Sequence, residues 1–268
     1  MNVGIIGYGS MGKMLLEKFV ESKVVGSDEL FISNRSIEKI ECFPEKYNIC
    51  KSNSELAAVS DVIFICVRPV DIKIVLEEIA AYISESSLIV SLNGSISFEL
   101  IEKVIKHKIA KAIPSVTAEI NRSQTLVCFN DKVMESDKQI LSDLLKCIGN
   151  VIELPENEMG MGSELVSCMP GFIASIFDVI CESAQKHTSI PQEQIINMVL
   201  NTLCATGDLM LENDMSFSDV VSRVATKGGI TEVGSKVIYE KLPDVTDEMF
   251  IRTLEKRRMT AEKAKEIF

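Results

Sequence analysis

The stretch "NVGIIGYGSMGKMLLEKFVES", Asn2 to Ser22, decides the fold. It opens on a short continuous apolar run and closes on a segment whose apolar residues recur at three and four, as in a helix. Between the two stands Gly7-Tyr8-Gly9-Ser10-Met11-Gly12. Each glycine in such a strand-to-helix turn has a physical reason. The first permits the tight turn, the second lets backbone approach a pyrophosphate, and the third lets helix and strand pack closely. The helix N-terminus adds unpaired N–H groups and a partial positive charge. Residues 7–12 are therefore expected to cradle a dinucleotide, the alternative being a plain strand–turn–helix connection.

The rest of the N-terminal half favours the dinucleotide. The runs "ELFISN", "DVIFICV", "SLIVSL", "IAKAI", "TLVCF" and "NVIEL" are rich in Val, Ile and Phe, and several are continuous rather than alternating. Continuous runs suit strands buried on both faces of a parallel sheet. Helical patterns lie between them, in "DIKIVLEEIAAYI", "SFELIEKVI" and "SDKQILSDLLKCI". The fold class is α/β: a Rossmann-type doubly wound sheet over residues 1–155. Residues 156–268 read as an all-helical domain, with helices over 162–188, 191–213 and 216–226, a segment over 228–242, and a charged helix from 246 to the end. "FIASIFDVI" and "IINMVLNTLCATGDLML" carry more apolar positions than one stripe requires. Such helices bury more than one side, so a homodimer or higher homo-oligomer is expected.

Lys and Arg number 28 against 39 Asp and Glu, for a net charge of −11. This balance argues against nucleic-acid or anionic-membrane partners, whose phosphates need a local surplus of cations. The eight cysteines (Cys42, Cys50, Cys66, Cys128, Cys147, Cys168, Cys181, Cys204) show no C-x-x-C and no metal-ligand spacing with the two histidines, His107 and His187. They read as reduced, mostly buried thiols, and no metal site is expected. No basic segment or cleavage site precedes "NVGIIGYG", and charges break the longest apolar stretches before the roughly 18–20 residues that span a bilayer. A cytoplasmic protein is expected.

The end of the second strand selects the cofactor. Unphosphorylated ribose calls for Asp or Glu there. This chain has Ser33-Asn34-Arg35-Ser36, with no carboxylate until Glu38. A guanidinium with neighbouring hydroxyl and amide groups suits a 2′-phosphate, so NADP is expected, with Arg35 as a solvated turn residue the alternative. Val67-Arg68-Pro69 in "ICVRPVD" would lie at the carboxyl edge of the sheet near the cofactor, and Asn93-Gly94 would either border the nicotinamide or form an ordinary turn.

The late stretch "VATKGGITEVG", Val224 to Gly234, places adjacent glycines in a helical region. Together with "GYGSMG", "CVRPVD", "AIPSVTAEI" and "VSCMPGF", it resembles the pyrroline-5-carboxylate reductase family along essentially the whole chain. The resemblance implies NADPH- or NADH-dependent reduction of a cyclic imine acid to L-proline, with a Rossmann domain and a helical domain that dimerises. It also implies that the Gly228 and Gly229 backbone holds the substrate carboxylate, that Thr231 offers its hydroxyl to the ring nitrogen, and that Lys227 either pairs with the carboxylate or is solvated. The residues alone, without the resemblance, favour a tight interhelical turn with Thr231 as a cap.

Departures fall on the substrate side. Lys227 replaces the family's proline, Ile230 a threonine or small residue, and Cys168-Met169-Pro170-Gly171 stands for Ser-Gly-Pro-Ala. Ile113-Pro114-Ser115-Val116-Thr117 stands for M-P-N-x-P, with Lys111 for the preceding arginine. These changes resemble a late-competence branch of the family. Two other functions compete with the reductase reading. A β-hydroxyacid dehydrogenase needs a catalytic lysine on the first long helix, and residues 162–185 hold none. A non-catalytic NADP-binding regulatory protein fits the altered pocket, but a degenerate site has no physical need to keep Gly228, Gly229 and Thr231.

Overall fold

A computed structural model describes residues 1–40 and 46–268; Cys42 lies outside them. The chain forms two units, Met1–Pro170 with Leu254–Phe268, and Gly171–Thr253.

The first unit holds the strands β1 (Val3–Ile6), β2 (Leu30–Ser33), β3 (Asn48–Ile49), β4 (Val62–Ile65), β5 (Leu88–Ser91), β6 (Lys108–Ile113), β7 (Ser123–Phe129) and β8 (Gly149–Glu153). They make one sheet in the order β3-β2-β1-β4-β5-β6-β7-β8, parallel except between β6 and β7. The connecting helices are α1 (Ser10–Ser22), α2 (Asn53–Val59), α3 (Ile72–Ile79), α4 (Phe98–Glu102) and α5 (Glu135–Leu145). Along β4, Val62 and Phe64 face a core shared with Leu15 and Phe19 of α1 and Leu141 of α5. Ile63 and Ile65 face a second core with Leu56 of α2, Leu76 of α3 and Ile101 of α4. Both faces are covered, which is why the strand sequences are continuous rather than alternating. Strand order reverses between β1 and β4, and a crevice opens there at the carboxyl ends of the strands.

Two elements, β3 and α2, leave little trace in the apolar pattern. A two-residue edge strand carries no periodicity, and α2 has only seven residues. The start of α2 is nonetheless legible as Ser52-x-x-Glu55, a capping pattern: Ser52 Oγ accepts from Glu55 N at 3.1 Å.

The first long helical stretch begins with α6 (Met159–Ser163), passes through a π-helical turn at Glu164–Cys168, and continues as α7 (Met169–Gln185). Composition changes at 155/156, but the units divide after Pro170 because α6 packs on the sheet. Met159 is buried in the second core, and a Cβ on Gly162 would meet Leu154 at 2.6 Å and Leu126 at 2.8 Å. The second unit is built from the rest of α7, with α8 (Gln192–Glu212), α9 (Phe217–Val224) and the larger part of α10 (Ile230–Ile267). Where the sequence suggests two segments, α10 runs unbroken through Pro243, and Thr246 Oγ1 donates to the carbonyls of Leu242 and Pro243 at 3.1 and 2.9 Å.

One expectation is corrected by these helices. Glu156–Gln185 is long and apolar enough, by length and composition, to cross a membrane, and 11% of its most apolar window is buried within the chain. Between Glu164 and Asp178 the helix carries no charged residue. Val179, Ile180, Met198, Leu200, Leu211 and Phe217 are likewise exposed in the second unit. Apolar surface on this scale calls for a covering partner.

Candidate functional site

The glycine turn shows why its residue types are needed. Gly7 has φ +102°, and a Cβ there would lie 2.8 Å from the Cys66 carbonyl oxygen. A Cβ on Gly12 would strike the carbonyl oxygen of Gly7, while one on Gly9 would meet nothing within 4 Å. The turn is therefore closed against β4 and α1 but open above Gly9. No side chain caps α1, whose N-cap is Gly9, so the first-turn N–H groups of Ser10, Met11 and Gly12 lack intrahelical acceptors. An anion fits this cradle.

Above it lies a cleft of about 720 Å³ that gathers Gly7, Tyr8, Gly9, Asn34, Arg35, Ser36, Val67 and Arg68. Asn34 is a brace: its Oδ1 accepts from Tyr8 N at 3.1 Å and its Nδ2 donates to Ser36 O at 2.8 Å. Arg35 is exposed, and among the described residues it has no ion pair. Arg68 donates from Nε to Asp71 at 3.0 Å, and Pro69 opens the 3₁₀ turn between them. Cys66 also lines the cleft; burial pushes its thiol far above the usual range, which leaves it an inert packing group. Asn93 lies past the end of β5 and is not among the residues lining the cleft; its Oδ1 accepts from Ser95 N at 2.9 Å in a local turn. Four lining residues carry no motif that sequence reasoning could seize on, namely Lys39, Lys51, Asn53 and Glu78. Asn53 ties the wall together, since Ser33 Oγ donates to its Oδ1 at 2.7 Å and its Nδ2 donates to Glu78 at 2.6 Å.

The second unit carries Lys227, Gly228, Gly229 and Thr231 in the turn that starts α10. Gly228 has φ +75°, a conformation that favours glycine. Both glycine amides are engaged within the chain: Gly228 N donates to Glu232 Oε2 at 2.6 Å, and Gly229 N to Thr226 O at 2.8 Å. The Gly228 N–H, followed by the Lys236 ammonium, holds the Glu232 carboxyl below its ordinary range. Lys227 and Thr231 are exposed.

Ion pairs with one buried member, unread from sequence, also sit in the first unit. Lys111, 1% exposed, pairs with Glu156 and lies 4.5 Å over the Phe98 ring. Glu164, in the π-helical turn, pairs with Arg257 at 2.8 Å. Cys168 lies near that pair, and burial, with Glu164 next, raises its thiol.

The chain is 33% identical to pyrroline-5-carboxylate reductase 3 of Bacillus subtilis over 263 residues, 97% of each chain. It belongs to the pyrroline-5-carboxylate reductase family. ComE operon protein 4 of the same organism is 28% identical over 94% of each chain, so the numbered reductase is more similar to this chain than the competence-operon protein. The family model described as pyrroline-5-carboxylate reductase dimerisation matches residues 156–260, and that described as NADP oxidoreductase coenzyme F420-dependent matches residues 2–94. A pyrroline-5-carboxylate reductase structure from Coxiella burnetii superposes with a TM-score of 0.86 at 25% identity, covering 99% and 98% of the two chains. The Plasmodium falciparum pyrroline carboxylate reductase, solved with NADP bound, has the same fold, with a TM-score of 0.82 at 23% identity over 100% and 98%. The dimerisation match takes in α7 and α8, whose apolar faces are exposed in the single chain. It also accounts for the apolar length of Glu156–Gln185, all of which lies within it.

Proposed function

We propose that this chain is a cytoplasmic homodimer or larger homo-oligomer that uses NADPH to reduce pyrroline-5-carboxylate, or a close cyclic imine acid, to L-proline or its analogue. The observation that carries the reading is the first-unit cleft. Its glycine turn is open to a pyrophosphate, and at the end of β2 it offers Arg35, not a carboxylate, to the ribose. A bound nicotinamide dinucleotide supplies the hydride. A protonated imine is already electrophilic, so the chain's task is to hold it rather than to provide a strong acid or base. In this reading the Gly228–Gly229 turn and Lys227 take the substrate carboxylate in place of Glu232, and Thr231 offers its hydroxyl to the ring nitrogen.

NADPH oxidation by the purified protein with pyrroline-5-carboxylate, alongside calorimetry of NADPH binding, tests the proposal. Thr231→Ala should lower kcat about tenfold, the worth of one hydrogen bond formed in the transition state, with NADPH affinity near wild type; unchanged turnover would clear Thr231 of a catalytic part. Arg35→Asp should weaken NADPH by roughly tenfold or more, since it removes a charge-assisted contact, and NADH by less. Equal loss of both would remove Arg35 from the 2′-phosphate role.

One observation favours a second reading, a regulatory protein that binds NADP without turnover. Glu232 already occupies the Gly228 amide that a substrate carboxylate would use. NADPH binding with no oxidation of it, across a panel of cyclic imine acids, would establish this alternative.

A further inference from the structure

The cleft is cationic in a chain of net charge −11. Among the described residues, Arg35, Lys39, Lys51 and Arg68 line it against two carboxylates, Asp71 and Glu78. Both carboxylates are engaged, Asp71 by Arg68 and Glu78 by Asn53. Lys51 stands out because its position is fixed while its ammonium is not. β2 and β3 run in parallel with Ile32 beside Ile49, and Cys50 N donates to Ile32 O at 2.8 Å. Continuing that register sets Lys51 beside Asn34, one residue from Arg35.

The backbone of this segment is clamped. Lys51 N donates to Glu55 Oε2 at 2.7 Å, Ser52 caps α2, and Asn53 is tied to Ser33 of β2. Glu55 therefore spends one carboxylate oxygen on the backbone of Lys51, and among the described residues the Lys51 ammonium has no ion pair. A cation beside a second cation, with no ion pair to either among the described residues, is electrostatically unfavourable. A dianionic group set between them reverses the sign.

We infer that Lys51, just past the end of β3 as Arg35 is just past the end of β2, is a second ligand of the 2′-phosphate and sets the preference for NADPH over NADH. This rests on the cofactor reading above. It adds a residue beside Arg35 in the cleft, so that the phosphate is gripped from the ends of two neighbouring strands.

Calorimetry on the full-length protein tests it, with NADPH, NADH, 2′,5′-ADP and 5′-AMP as titrants at low and high salt. Wild type should bind 2′,5′-ADP more tightly than 5′-AMP. Lys51→Met keeps the length of the side chain and removes its charge. It should weaken NADPH and 2′,5′-ADP about tenfold, the size of one charge-assisted contact, and leave NADH and 5′-AMP unchanged. The difference should shrink at high salt, because the pair is exposed. If Arg35→Met weakens NADPH and Lys51→Met does not, the Lys51 assignment is overturned and the NADP reading stands. No preference of wild type for NADPH over NADH would remove the NADP reading itself, and Lys51 with it. Unchanged NADH affinity in both variants confirms that the fold is retained.

Discussion

Gly12→Val is expected to abolish dinucleotide binding and to destabilise the first unit by about 1–3 kcal/mol or more, the range for forcing side-chain volume into a packed site. The added Cβ would strike the carbonyl oxygen of Gly7, which is backbone and has no rotamer to escape into. Gly7 cannot yield either, because its N–H donates to Ser33 O at 2.8 Å and the Cys66 carbonyl fills the space beside its Cα. The strain is relieved only if α1 lifts from β1, which loosens Leu15, Leu16 and Phe19, all fully buried. Gly9→Ala is the control. Its Cβ meets nothing within 4 Å and its φ of −84° suits alanine, so stability should be unchanged. Binding should still fall, since the new methyl group occupies the space left for the pyrophosphate. Urea denaturation and NADPH calorimetry on both variants separate the two roles. Wild-type stability in Gly12→Val would mean that helix and strand do not depend on this close approach.

The contrast between these glycines shows what is legible in the sequence and why. The turn at Gly7–Gly12 and the strands flanking it obey strong local rules, so both the fold and the backbone part of the site can be read directly. Arg35 is readable because one side chain at one strand end answers a simple electrostatic question. Lys51 is not, because it reaches the cleft through β3, a two-residue strand placed only by its pairing with β2. The Gly228–Gly229 turn is visible as a break in helical pattern, yet no local rule reveals that Glu232 turns back onto the Gly228 amide. The apolar length of Glu156–Gln185 is hidden for a related reason. Counting charges along the chain overlooks how far apart they fall within one continuous helix.

The Arg257–Glu164 pair joins residues 93 positions apart in the sequence, and Arg257→Met should have the largest effect on the stability of the first unit. Glu164 is 2% exposed, and its Oε1 accepts from Arg257 Nη2 at 2.8 Å and Nε at 3.1 Å, while Nη2 also donates to Ser163 Oγ at 3.2 Å. The second carboxylate oxygen, Oε2, is buried with no hydrogen-bond partner among the described residues. Glu164 therefore depends on one guanidinium for nearly all of its compensation. Removing that cation strands a buried charge, at a cost of about 3–5 kcal/mol. The double variant Glu164→Met with Arg257→Met should regain most or all of the loss, since apolar replacement of a buried pair is often neutral or stabilising. Arg257 lies on Leu254–Phe268, the end of α10 that returns to the first unit. That segment is also held by the Lys73 ammonium donating to Ile267 O at 3.0 Å and by the buried Ala264. The single variant should therefore loosen the C-terminal segment, seen as faster amide exchange at residues 254–268, while NADPH affinity holds, because neither charge lines the cleft. A single-variant loss below about 0.5 kcal/mol, the ordinary scatter of surface substitutions, would show that the pair does not pin α10 to the first unit.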